Sequence, residues 1–254
     1  MRKIKLLLAW SLFLILLVLA LPAWEGSGRD LNHWENFSRF ALRFVPPDFS
    51  DGREIWLGLL ETIQVGFLAT AFASFASLGI ALMGGPWMPA PGRALVLLLL
   101  ATIRSIPSLI WAVLAVAVVG ANSRAGVLAL SFYSIGYLGK FLMDDFSSLD
   151  HTLMKTYQRW GVHPLFAFFL GFWPQLKKLY GAHCLWMLEY NIRSAAIIGY
   201  VGAGGLGLLL QAYQEYGQWS RFSAVLIVIL GIVICFELLV HWRGRRKTTG
   251  ESLA

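Results

Sequence analysis

The chain has 254 residues, 57% hydrophobic and only 14% charged, with a formal net charge of +7 and a mean hydropathy of +0.64. Soluble domains carry about 25% charged residues, so this composition describes a polytopic membrane protein, one bundle rather than two soluble domains. The positive charge requires no nucleic-acid partner, because the basic residues cluster at the ends of apolar segments, where membrane lipid and loops meet. Cys184 and Cys235 both fall in apolar segments, and no Cys/His cluster has ligand spacing. They read as small core residues, and no metal or cofactor is expected.

Met1 to Lys5 is a basic start to an apolar run from Leu6 to Leu21. Residues 1–22 read as a retained first span in preference to a signal peptide, although Ala20 and Ala23 would suit cleavage. Residues 23–54 are polar and carry Trp24, Trp34, Phe37, Phe40 and Phe44, which suits an amphipathic segment at the outer interface. Pro46-Pro47-Asp48 breaks it. The second span runs from about Trp56 to Met83, with Glu61 and Gln64 in its first turns. Glycines 84 and 85 and Pro86, then Pro89 to Gly92, make a tight turn. The third span, Ala94 to Val119, contains Arg104 and Pro107; the proline should kink the helix and free carbonyls near residue 103. The fourth span covers Ala125 to Met143.

Residues 144–181 form a long connection. Asp150 begins a short helix that Gly161 can end, and Val162-His163-Pro164 turns the chain. Leu165 to Trp173 is apolar but too short to span, and Pro174 stops it. The fifth span is placed at Ala182 to Val201, a polar connection at Gln211 to Arg221, and the sixth span at Phe222 to Trp242. The core therefore covers residues 55–242, with a basic tail at 243–254.

Orientation follows from the basic residues. One side holds Arg2, Lys3, Lys5, Arg93, Lys155, Arg159, Lys177, Lys178, Arg243, Arg245, Arg246 and Lys247; the other holds Arg29, Arg39, Arg43, Arg53, Arg124 and Arg221. Six spans with both termini in the cytoplasm satisfy this bias.

The fifth span carries Glu189, Asn191 and Arg193, and each charge at membrane depth costs roughly 3 kcal/mol on insertion scales. Glu189 and Arg193 are four apart and can partly neutralise each other on one helix face. They either line a polar path across the bilayer or pair structurally within the bundle. Arg104 either faces that path or caps carbonyls freed by Pro107. Lys140 reaches Asp144, one turn on. A surplus of guanidinium suits an anionic, oxygen-rich solute. Gly202, Gly204, Gly205 and Gly207 fit the letters G-x-G-x-x-G, but no βαβ unit surrounds them, so close packing or a helix end explains them better than dinucleotide binding. No phosphate loop, nucleophile elbow or metalloprotease motif occurs, which argues against an enzyme.

Several stretches together resemble one family. Arg104-x-Ile-Pro107-x-Leu-Ile-Trp111, Gly136-x-Leu-Gly-Lys140, Glu189-x-Asn-Ile-Arg193 and Gly199-x-Val-Gly-Ala-Gly-Gly-Leu-Gly207 look like the phosphonate/phosphite branch of the ABC importer permeases. The loop, Lys155-Thr-Tyr-x3-Gly161-x9-Gly171-x-Trp-Pro174, keeps the spacing of that family's Glu-Ala-Ala motif, with Lys155 in place of the acid. The resemblance covers roughly residues 55–240. It implies an all-α integral membrane protein of about six spans, the type I importer permease fold, in the bacterial inner membrane. It also implies a cytoplasmic coupling helix at residues 152–165, with Gly161 permitting its turn and Trp160, Val162 and His163 in the groove of an ATP-binding subunit. A periplasmic solute-binding protein and a second permease copy, identical or not, would complete the importer. On this reading Arg104, Pro107, Glu189, Asn191 and Arg193 line the passage, and the glycines from 202 to 207 pack or gate it.

Overall fold

The computed structural model describes residues 2–24, 32–85 and 87–250. Expectations that rest on Arg29, on Pro86, on the last four residues or on the basic side chains at either terminus lie outside the described residues. The chain divides after Arg43 into two compact units.

In the first unit, α1 (Arg2–Ala20) ends in a 3-10 turn, Leu21–Trp24. Apart from Ser11, which bonds the Leu8 carbonyl, its described side chains are apolar and exposed on every face, as suits a helix surrounded by lipid. Helix α2 (His33–Leu42) starts at Asn32, whose side chain accepts from the Glu35 N–H at 3.2 Å. Trp34 and Phe37 stack on its exposed surface, the aromatic amphipathic segment expected there.

The second unit is built on α3 (Gly52–Met83) and α6 (Ser123–Ser148). Gly58, Thr62, Gly66, Ala69, Thr70, Ala73, Ser77 and Ala81 are all buried and recur every three or four residues on α3. Small side chains let backbones meet where lipid offers no hydrophobic drive for association. A Cβ on Gly66 would lie 3.0 Å from the Ile192 backbone. Helices α3, α6 and the apolar part of α11 (Trp219–Gly250) are each long enough to cross a membrane.

Two further spans are bent. Helix α4 (Ala90–Ser105) meets α5 (Ser108–Val119) at 85°, far beyond the kink expected of one continuous span. Pro107 has no N–H, and Ile106 before it takes an extended ψ of 121°. Helix α9 begins at Trp173, nine residues before the expected start, and runs to Ile198. Pro174 therefore opens this helix instead of stopping the preceding stretch, because a proline in the first turn has no bond to lose. Lys177 and Lys178 lie within α9. A π turn, Gly199–Ala203, leads to a 51° bend and to α10 (Leu206–Glu215), so the expected polar connection from Gln211 is helical for its first turn. Among the described residues, counting each bent pair once gives up to five spans, and Leu8–Ala23 is a further, shorter apolar stretch.

The long connection is α7 (Thr152–Arg159), a turn at Gly161, and α8 (Pro164–Gly171). Phe146, Phe168, Phe172, Leu176 and Met154 form one buried cluster beneath it. Gln175 Nε2 donates to the Asp150 carbonyl at 3.3 Å, fixing the start of the loop to the first turn of α9. At the opposite end of the bundle, Arg221 bonds Asp48 at 3.3 Å and Asp51 at 3.0 Å, while Tyr213 donates to Asp51 at 2.7 Å. Ser223 Oγ donates to the Phe44 carbonyl at 2.8 Å, so the segment before α3 is clasped to α10 and α11.

Candidate translocation site

On α9, Arg193 Nη2 donates to Glu189 Oε1 at 2.6 Å. The guanidinium is half exposed and its carboxylate partner largely covered. Arg193 sits at the edge of a cleft of about 480 Å³ whose walls include Leu109, Ile197, Leu226, Leu230 and Val233. Asn191 does not share that face: two residues on a helix turn a side chain by about 200°. It is fully buried, accepting from Ser134 Oγ at 3.0 Å and donating to Thr70 Oγ1 at 2.9 Å. With both partners inside the bundle, it ties α9 to α3 and α6.

Pro107 frees the carbonyl of Ile103, as the sequence indicates, and the indole of Trp111 donates to it at 3.3 Å. Arg104 is thereby left for another task. Its guanidinium lies 5.4 Å from the centre of the Tyr137 ring, and it has no carboxylate partner among the described residues. Tyr137 in turn meets Tyr133 at 4.8 Å, and Tyr133 stacks on Tyr190 at 5.2 Å. Rings thus connect Arg104 to the turn of α9 that carries Glu189. The sequence reading singled out none of these tyrosines. Lys140 pairs with Asp144 as expected, and His183 Nε2 lies 3.1 Å from Asp145.

The glycine run is a backbone break. Gly202, Gly204 and Gly205 have φ of +93°, +85° and +69°, a region closed to most side chains. The break is held by Thr62, whose hydroxyl donates to the Gly58 carbonyl at 2.7 Å and accepts the Leu206 N–H at 2.9 Å. Glu61 hydrogen-bonds Ser123 beside a second cleft of about 450 Å³, which also reaches Gln64 and Arg124. Cys184 is partly buried near Ser74, whereas Cys235 is exposed rather than a core residue.

In the loop, Gly161 has φ +82° and open space about its Cα, so its conformation and not crowding demands glycine. Lys155, Trp160, Gly161, His163 and Pro174 are exposed, and Val162 is partly buried. Trp160 is 74% exposed, with its ring edge against Tyr157. His163 Nδ1 accepts from Leu165 N and caps α8. The Asp150 carboxyl is held below its ordinary range by the Thr152 hydroxyl and N–H, which keeps it an anionic cap at the start of α7.

Residues 77–249 match the family described as the binding-protein-dependent transport system inner membrane component. The chain belongs to that family. It is 32% identical over 207 residues to the phosphite transport system permease protein PtxC of Stutzerimonas stutzeri, covering 80% of this chain and 74% of that one. It is 31% identical over 207 residues to the phosphate-import permease protein PhnE of Mycolicibacterium smegmatis, covering 79% of this chain and 38% of that one. Among solved structures, a chain of the inward-facing MetNI methionine ABC transporter superposes with a TM-score of 0.67 at 19% identity, over 80% of this chain and 98% of that one. An amino acid ABC transporter determined with histidines gives 0.62 at 21% identity, over 77% and 94%. These structures establish the ABC importer permease fold, and with the family they make the chain the multi-pass inner-membrane permease subunit of an importer.

Proposed function

We propose that this permease subunit conducts phosphonate- or phosphite-type oxyanions by alternating access, driven by ATP hydrolysed on a separate subunit. The observation that carries the reading is Arg104. It lies roughly 20 Å along α4 from the helix start, over the Tyr137 ring, with no carboxylate opposing it among the described residues. A guanidinium retained at that depth costs several kcal/mol unless something anionic meets it, and its planar donors match phosphoryl oxygens. The names of the similar permeases point to the same solutes.

In this reading the exposed elbow at Trp160 to His163 docks on the ATP-binding subunit, with Lys155 and Pro174 flanking it. Both termini are cytoplasmic, and a periplasmic binding protein delivers solute at the end that holds Arg221 and Asp51. Two permease copies enclose the passage, with Glu189, Arg193 and Pro107 along it and the glycines from 202 to 207 at its outer gate. Lys155 stands exposed where the family carries an acid, which favours a second reading: a heterodimer whose other permease keeps the acidic motif, or an ATP-binding subunit with a matching acidic groove.

The test is reconstitution of the permease with the ATP-binding subunit that copurifies with it and with a solute-binding protein. ATP-dependent accumulation of phosphite or methylphosphonate in the vesicles is expected. Vesicles that hydrolyse ATP but accumulate neither reject the cargo, and failure of any ATP-binding subunit to coelute rejects the coupling.

A further inference from the structure

Tyr133, Tyr137 and Tyr190 are the feature that the proposed passage does not yet use. Tyrosine in membrane helices is ordinarily found in the interfacial belts. Tyr133 and Tyr137 instead sit ten and fourteen residues into the 26-residue α6, roughly 15 and 21 Å along it. Phenylalanine would supply the same ring packing there without a hydroxyl to desolvate. The three rings pack on one another across α6 and α9, with the Arg104 guanidinium over the nearest.

The three hydroxyls meet one another rather than a carbonyl or carboxylate: that of Tyr133 is hydrogen-bonded to those of Tyr137 and Tyr190. Tyr180 donates to the Ser74 carbonyl, and Tyr213 donates to the Asp51 carboxylate. Among the described hydrogen bonds, Tyr133, Tyr137 and Tyr190 reach no carbonyl and no carboxylate. Their positions are nevertheless fixed. Ser134 and Asn191, the next residues along α6 and α9, are fully buried and bonded to each other, and Asn191 is also bonded to Thr70. The neighbouring acid, Glu189, is already satisfied by Arg193.

We infer that Tyr133, Tyr137 and Tyr190, together with Arg104, form a transit subsite for a tetrahedral oxyanion. The guanidinium supplies the charge, and the phenolic O–H groups donate to oxygens on phosphorus. Neutral donors suit a passage: they replace part of the hydration of the anion without adding cations that would trap it. This assignment rests on the oxyanion reading above and names the residues that recognise the solute within it.

The test uses the complete reconstituted importer and Tyr→Phe changes, which keep each ring and remove only the hydroxyl. ATP-driven uptake of phosphite is measured below saturation, with methylphosphonate as a second probe. The triple variant is expected to coelute with the ATP-binding subunit and to lose roughly tenfold or more of its uptake rate, since hydrogen bonds to a charged partner are the strong ones. Each single change should lose less. A triple variant that assembles and takes up both anions at the unsubstituted rate overturns the assignment. If the triple variant does not assemble, the three single variants decide, and full uptake by all of them overturns it. An unsubstituted importer that carries neither anion rejects the cargo reading itself and the subsite with it.

Discussion

Asn191 Nδ2 donates to Thr70 Oγ1 at 2.9 Å across the contact between α9 and α3, where both side chains are buried. The same amide accepts from Ser134 on α6, so one side chain sets the register of three helices. Asn191→Ala leaves the buried Ser134 hydroxyl without an acceptor, which costs about 1–3 kcal/mol, while Thr70 keeps its bond to the Gly66 carbonyl at 2.7 Å. A fall in the thermal stability of the detergent-solubilised protein is the expected outcome, read by the temperature at which it aggregates. Asn191→Ala with unchanged stability would show that the network is dispensable.

Gly161 tests the loop by conformation alone. Its φ is +82° and nothing lies within 4 Å of a Cβ placed on it. Gly161→Asn should be tolerated, because asparagine visits the left-handed region, whereas Gly161→Leu should strain the turn by about 1–2 kcal/mol. The measurement is solute-stimulated ATPase activity of the assembled importer: near normal for the asparagine variant, strongly reduced for the leucine variant. Equal activities would remove the elbow from the coupling path.

Arg193→Ala should lower oxyanion uptake tenfold or more, but it also strands Glu189, whose side chain is largely covered. The double change with Glu189→Gln removes that charge. The double variant is expected to insert and assemble normally while uptake stays low. Normal uptake in the double variant would reduce the pair to a structural role.

Asp48 gives an acid-sensitive clasp. The Ser50 N–H and side chain, with Arg221 adding to them, hold its carboxyl below the ordinary value of 3.8. A depressed carboxylate contributes stability above its unfolded value and loses it as pH falls through the folded value. The clasp between residues 44–51 and α11 is therefore expected to persist at pH 5 and 7 and to open only below 3.8. Protease access to this segment reports it, and Asp48→Asn should abolish the acid step.

Much of this was legible in the sequence because membrane depth makes each charge conspicuous. The Glu189–Arg193 pair, the Lys140–Asp144 pair and the turn at Gly161 follow from spacing alone. What escaped was whatever depended on a partner from another helix. Helix α9 starts nine residues before the expected Ala182, because Lys177 and Lys178 look like loop although a helix emerging from the bundle tolerates them. The carbonyl freed by Pro107 was foreseen, but its donor, Trp111, is eight residues ahead across an 85° corner. The three central tyrosines gave no signal, since an aromatic on a membrane helix looks the same whether or not its hydroxyl has a use. Nothing in the sequence marks Thr62, since only the arrival of Leu206 gives its oxygen a second bond.

Helix α9 runs unbroken from Trp173 to Ile198, a rod of about 39 Å. Its base is pinned to the loop through Gln175 and Asp150. A tilt imposed at that base reaches Glu189 and Arg193 along a continuous helix. Above them the π turn and the left-handed glycines form a pivot, and Thr62 grips the far side of it. The rod and α3 therefore move together, tied by Asn191 at the charged pair and by Thr62 at the glycine break.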